Sequence, residues 1–151
     1  MNRLVLVIVI AGAFFLFQHF QEQKLATARQ AYQRGLSAQT DNCSGKKFCA
    51  VIYVAPWCPA CKQMKPQFLR ALKRSETKTG FGVRVVVGQG TSEQNEKEAA
   101  SFGFGAVTDP DASVLKSLGV RAFPSFFVID EEKTVILSGR EAFDWINEKL
   151  N

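Results

Sequence analysis

The chain has 151 residues, 46% of them hydrophobic and 22% charged, and a formal net charge of +5. These proportions suit a globular chain with one core and exclude a disordered or collagen-like polymer. The positive charge is modest and comes with no nucleic-acid-binding motif, so nucleic acid is not an expected partner.

Met1-Asn2-Arg3 is short and basic, and residues 4–17 form an unbroken run of 14 apolar residues, counting Gly12. Extended to Phe20, the run would span roughly 25 Å as a helix, slightly less than a ~30 Å hydrocarbon core. Ala26-Thr27-Ala28 has the small-x-small form of a signal-peptide cleavage site, but it lies behind Glu22 and Lys24. That placement favours an uncleaved signal anchor over residues 1–20, with Arg3 on the cytoplasmic side. In a bacterium it would hold the chain at the inner membrane, with its domain in the periplasm or extracytoplasmic space. Cleavage would instead give an exported soluble form. Residues 21–47 read as a weakly amphipathic helical stalk followed by a polar linker.

Residues 48–151 carry the domain. Residues 48–54 are a β-run, and Trp57-Cys58-Pro59-Ala60-Cys61 follows as a tight turn. The next helix places Cys61, Met64, Phe68, Leu69 and Leu72 on one face, with Pro66 inside it as a kink. Residues 83–87 are a second strand, apolar enough to be central. A helix over 91–101, capped by Thr91 or Ser92, is broken by Gly103 and Gly105. Asp109-Pro110-Asp111 supplies turn and cap residues for a short helix through Val114, Leu115 and Leu118, closed by Gly119. Residues 126–129 and 134–137 form a hairpin, and 141–150 a closing helix with Phe143, Ile146 and Leu150 inward. The order predicts an α/β fold, a mixed central sheet flanked by helices.

The chemistry concentrates at Cys58 and Cys61. Cys58 falls at the N-cap of a helix, facing unpaired N–H groups and the positive end of the helix dipole. Both favour the thiolate, the form that attacks disulfides. Pro59 suits the first helical position, and Trp57 reads as partner-facing surface beside an exposed Cys58. Lys62 follows Cys61, so the haem-attachment form CxxCH is absent. His19 is the only histidine and lies at the membrane boundary, which excludes Cys–His catalysis in the domain. Lys62, Lys65, Arg70, Lys73, Arg74 and Lys78 read as a solvated helix face; the competing reading is a surface for acidic partners. No metal or cofactor is expected.

Cys43 and Cys49 form a second pair. Local bridging, Cys43–Cys49 and Cys58–Cys61, is the simplest of three connectivities. A staple is the favoured role for Cys43–Cys49, because Cys49 sits in a strand with no helix N-terminus to activate it. A relay to Cys58/Cys61 and a four-thiolate zinc site are the alternatives.

Ala55-Pro56-Trp57-Cys58-Pro59-Ala60-Cys61-Lys62 with Pro66 resembles the active-site segment of the thioredoxin superfamily. Gly119-Val120-Arg121-Ala122-Phe123-Pro124-Ser125 resembles its second signature. The N-terminal anchor, the helix before Asp109-Pro110-Asp111 and the stretch Pro124 to Asp130 are similar to the membrane-anchored TlpA/ResA/DsbE branch. The resemblance covers residues 48–150. It implies a thioredoxin-like fold, Cys58 as nucleophile, Cys61 as resolving thiol and a cis-Pro124 that, with Phe123, faces the pair. Three departures stand out. Ile52 occupies the position of the buried carboxylate many thioredoxins carry, the intervening dipeptide is Pro59-Ala60, and the usual TlpA-type strands ahead of the core are not evident. The expected function is a membrane-tethered thiol:disulfide oxidoreductase that exchanges disulfides with protein substrates and a redox partner protein. The alternative is a non-catalytic thioredoxin-fold adaptor with purely structural cysteines.

Overall fold

The computed structural model describes residues 42–150; the apolar N-terminal run and most of the expected stalk lie outside them. Among the described residues no helix is long and apolar enough to cross a membrane.

Five strands make the sheet: β1 (Phe48–Val54), β2 (Phe81–Val87), β3 (Ala106–Thr108), β4 (Ser125–Asp130) and β5 (Val135–Ser138), in the order β3-β2-β1-β4-β5. β1–β2 and β2–β3 pair parallel, whereas β1–β4 and β4–β5 pair antiparallel. Four helices connect and cover them: α1 (Pro59–Glu76), α2 (Ser92–Phe102), α3 (Ser113–Leu118) and α4 (Gly139–Leu150). β1 and β2 are rich in β-branched residues because both of their faces are covered. Ala50, Ile52 and Val54, with Val83, Val85 and Val87 beside them, meet Phe68 and Leu72 of α1, Phe102 of α2 and Ile146 of α4. On the other face Cys49, Val51 and Tyr53 join Val86, Phe127 and Ile129 against Val114 of α3.

The structure departs from the sequence reading in β3, α1 and α4, and settles the cap of α2. β3 was not foreseen: three residues are too few to show an alternating pattern. Leu69, expected inward, is 38% exposed, at the margin of the buried stripe that Cys61, Phe68, Ala71 and Leu72 make along α1. α4 starts at Gly139, two residues before the expected Glu141, and Phe143 is only half-buried, packing on Phe126 with ring centroids 5.0 Å apart. Thr91 caps α2 through a full capping box with Gln94.

The turn ahead of β1 is bound to the domain. Cys43 and Cys49 are disulfide-bonded, and Cys43 packs on the Cys49–Val51–Tyr53 face. Gly82 of β2 lies directly under this turn: a Cβ there would come within 2.1 Å of the Asn42 carbonyl oxygen. A side chain on Gly82 would therefore lift the disulfide loop off the sheet.

Candidate active site

β1 ends at Val54 and α1 begins at Pro59, so the turn between them sits at the carboxyl end of a central strand. The Cys58 N–H bonds back to the Ala55 carbonyl at 3.1 Å, which closes that turn. Cys58 is the N-cap of α1 with extended backbone, Pro59 occupies the first turn, and the first helical bond runs from Lys62 N to Cys58 O at 3.2 Å. The Cys58 sulfur accepts the Cys61 N–H at 3.2 Å. The sulfur thus meets the N–H groups at the positive end of the α1 dipole.

Cys61 sits one turn in, on the buried stripe with Phe68. Burial pushes its thiol up to about 12, and the hydrogen bond with Cys58 adds to the rise. Ile52, 1% exposed in the same cluster, supplies no carboxylate beside it. The two cysteines, both free, therefore differ sharply: Cys58 is bonded as an N-cap acceptor, and Cys61 holds its proton.

Cys58 is 4% exposed, contrary to the expectation of an exposed cysteine. The loop before β4 covers it. The Phe123–Pro124 bond is cis, and the Phe123 carbonyl lies 3.4 Å from the Cys58 sulfur, where it accepts the thiol hydrogen. Phe123 is itself held between two rings. Trp57 meets it edge-on, with centroids 5.5 Å apart, and Tyr53 packs on it at 5.9 Å. Trp57 is 56% exposed, and its indole N–H donates to the Gln89 carbonyl at 2.7 Å. Pro59 and Ala60 are exposed beside it. Pro124, Met64, Ala122, Phe126 and Phe143 line an apolar groove of about 610 Å³, with Arg140 and Asp144 at its rim.

The structure thus brings Trp57, Cys58, Pro59, Ala60, Cys61, Phe123 and Pro124 together at one end of the central strands β1 and β4. Cys43 and Cys49 are elsewhere. Cys49 points to the sheet face opposite the cluster that holds Cys58 and Cys61. Their disulfide consumes two of the four sulfurs, which removes the four-thiolate zinc reading. Of the basic residues on α1, Lys65 leaves the proposed solvated face, pairing with Glu98 at 3.0 Å.

Tyr53, Gln89 and Asp109 are neighbours of the site that the sequence reading missed or misplaced. The Tyr53 hydroxyl donates to Asp109 at 2.8 Å, and burial together with this carboxylate pushes the phenol well above its usual range. Asp109 is the turn and cap residue its Asp-Pro-Asp setting suggested, but at 3% exposure it also turns its carboxylate inward to Tyr53. The detectable signal was Gly88-Gln89-Gly90: two glycines closing on one residue mark a backbone under close approach.

Residues 20–150 match the Redoxin family model, which takes in the stretch read as stalk and linker as well as the described domain. No curated protein matches the chain. Among solved structures, it is similar to the thioredoxin domain of a Bacteroides vulgatus thiol-disulfide oxidoreductase (21% identity, 70% of this chain and 80% of that one, TM-score 0.52). It is also similar to MTB dsbF (21% identity, 69% and 78%, TM-score 0.55). A third likeness is the exposed lipoprotein thioredoxin Etrx1 of Streptococcus pneumoniae (22% identity, 68% and 84%, TM-score 0.53). A cis-proline loop over a CxxC helix N-terminus, the β3-β2-β1-β4-β5 sheet and a family match across most of its length place the chain in the Redoxin family, on the thioredoxin fold.

Proposed function

We propose that the chain is a thiol:disulfide oxidoreductase acting on protein thiols and disulfides, with Cys58 as nucleophile and Cys61 as resolving thiol. The observation that carries this reading is the asymmetry of the pair: the Cys58 sulfur caps a helix while the Cys61 thiol is buried and pushed up to about 12. In the reducing direction the Cys58 thiolate attacks one sulfur of a substrate disulfide. A Cys58–substrate disulfide forms, and the other substrate sulfur leaves as a thiolate and takes a proton. Cys61 then gives up its proton and attacks the Cys58 sulfur. The Cys58–Cys61 bond forms and the second substrate thiol is released. The substrate gains two electrons and the CPAC dithiol loses them; a dithiol partner protein restores it. The oxidising direction is the same sequence reversed. Support comes from the named activity of the structural neighbours and from the groove beside Pro124, which offers an apolar seat for a polypeptide. The basic tip and apolar run at the N-terminus support a tethered domain outside the cytoplasm. The test is insulin reduction by the full-length chain, coupled to dithiothreitol. Turnover above the uncatalysed rate is expected; a rate equal to the blank would sink the reading.

We further propose that Cys43–Cys49 is a staple. It pins the turn over Gly82 to the start of β1, and it faces away from Cys58 and Cys61. A loop this short restricts the unfolded chain by about 2 kcal/mol. Replacing both residues with serine is expected to lower unfolding free energy by about that amount. Insulin turnover at a temperature where the variant stays folded should stay within about twofold of the parent, since the pair lies outside the exchange path. Unchanged stability with lost turnover would instead mark a relay.

A further inference from the structure

Phe104 is 50% exposed, and among the described residues only Trp57, beside Cys58, is a more exposed large apolar side chain. It forms the tip of the turn that joins α2 to β3, between Gly103 and Gly105, both at positive φ (73° and 86°). A Cβ on Gly105 would fall 2.6 Å from Asn42 Nδ2 and 2.8 Å from Leu72 Cδ2. The backbone therefore already lies against the domain, and the ring of Phe104 is left in solvent. The same close approach puts Asn42, the first described residue, beside this turn. The chain thus enters the domain next to an exposed aromatic ring.

Basic side chains gather at this entry. Lys46 and Lys47 follow Asn42 in the turn ahead of β1, and the Lys46 ammonium donates to the Lys78 carbonyl at 2.8 Å. Lys73 stands in the last turn of α1, and Lys47, Lys73 and Lys78 are exposed. Glu76 is the acid among them, whereas Glu131 and Glu132 lie on the β4–β5 hairpin, on the other side of β1. All of this is at the end of the sheet where β1 and β2 begin, opposite the end that carries Cys58. One exposed ring alone needs no explanation. A ring at a loop tip, among lysines, where the chain comes in, has the chemistry of an interfacial contact: an apolar group for the acyl boundary and cations for anionic head groups.

We propose that this end of the domain rests on an anionic lipid surface, with Phe104 entering the head-group layer and Lys46, Lys47, Lys73 and Lys78 meeting lipid phosphates. The inference rests on the tethered reading of the N-terminal run. The segment 21–41 between the expected anchor and Asn42 reaches about 30 Å as a helix and about 70 Å when extended, so a tether alone leaves the domain free to turn in any direction. The lipid contact removes that freedom. β1 has seven residues, so the contact holds Cys58 roughly 25 Å above the surface and facing away from it. Disulfides carried at that height on other proteins come within reach, and segments lying flat on the bilayer do not.

The test places the full-length chain in lipid nanodiscs of phosphatidylcholine alone or with phosphatidylglycerol added. Amine acetylation is followed by peptide mass, with Lys62, at the opposite end, as the reference. At low salt, labelling of Lys46, Lys47 and Lys78 should slow by about threefold or more on the anionic discs, and about 1 M salt should abolish the difference. K47E/K78E should lose the protection at Lys46, and F104S should weaken it; the salt series tests the parent chain without either variant. Equal labelling on the two kinds of disc, with the chain still co-eluting with them at high salt, would overturn the contact and leave the tether intact. A chain that separates from the discs would end the tethered reading, and this inference with it. Equally slow labelling in detergent and on both kinds of disc would mean that residues 21–41, not lipid, cover the patch. Slowed labelling of Lys62 would put the active-site end on the bilayer instead.

Discussion

Cys58→Ala is expected to remove at least about three orders of magnitude of insulin-reducing activity, because it deletes the atom that enters the mixed disulfide. Cys61→Ala should also stop turnover, but differently. With no thiol to resolve it, the Cys58–substrate disulfide should accumulate and be seen as a dithiothreitol-sensitive adduct on a non-reducing gel. The asymmetry follows from the site. The Cys58 sulfur is an N-cap acceptor, whereas Cys61 lies among Ile52, Phe68 and Leu72 with its thiol pushed up to about 12, first of all by burial. In Cys58→Ala the burial remains. Labelling of Cys61 should therefore remain slow at pH 8 and climb about tenfold per pH unit as alkali ionises the buried thiol. The sign is that of an acid held neutral: alkali, not acid, releases it. Equal adduct formation by both variants, or rapid Cys61 labelling at pH 8, would reverse the assignment.

Much of this arrangement was legible in the sequence, for physical reasons that differ by residue. β1 and α1 are long and strongly patterned, and the tight turn between them is marked by Pro56 and Pro59, so the placement of Cys58 at a helix start followed directly. The order of strands and helices was readable from apolar runs separated by glycines. β3 was not, since three residues carry no period. Burial was harder. The cover over Cys58 comes from Phe123, 65 residues along the chain, and no local pattern reports a contact of that separation. Arg84 shows the same limit. Nothing in the run Val83 to Val87 reports that its one arginine is 2% exposed, opposite Val51 in the sheet. Asp109 is the clearest case. Asp-Pro-Asp is a turn signal, and the chain does turn there, but the carboxylate points inward to a tyrosine 56 residues earlier.

That carboxylate supports the largest stability effect expected from a single residue beyond the cysteines. α3 has an unusual start: its N-cap, Ala112, is left-handed and offers no side-chain bond. Asp109 does the capping from three residues further back. Oδ1 accepts from Val114 N at 3.1 Å and from the Ser113 hydroxyl at 3.3 Å; Oδ2 accepts from Leu115 N at 2.9 Å and from the Tyr53 hydroxyl at 2.8 Å. Asp109→Ala strands two helix-terminal N–H groups and a buried phenol together. Each such group costs about 1–3 kcal/mol when left unmet, and the losses overlap, so about 3 kcal/mol is expected in urea unfolding of the full-length chain. Asp109→Asn keeps one oxygen but turns an NH₂ towards Leu115 N–H or Tyr53, so about half that loss is expected. Because Tyr53 packs on Phe123, the alanine variant should also label faster at Cys58 than its stability loss alone explains, under conditions where it remains folded. A loss below about 1 kcal/mol would mean that water reaches these donors and that α3 is not capped from Asp109.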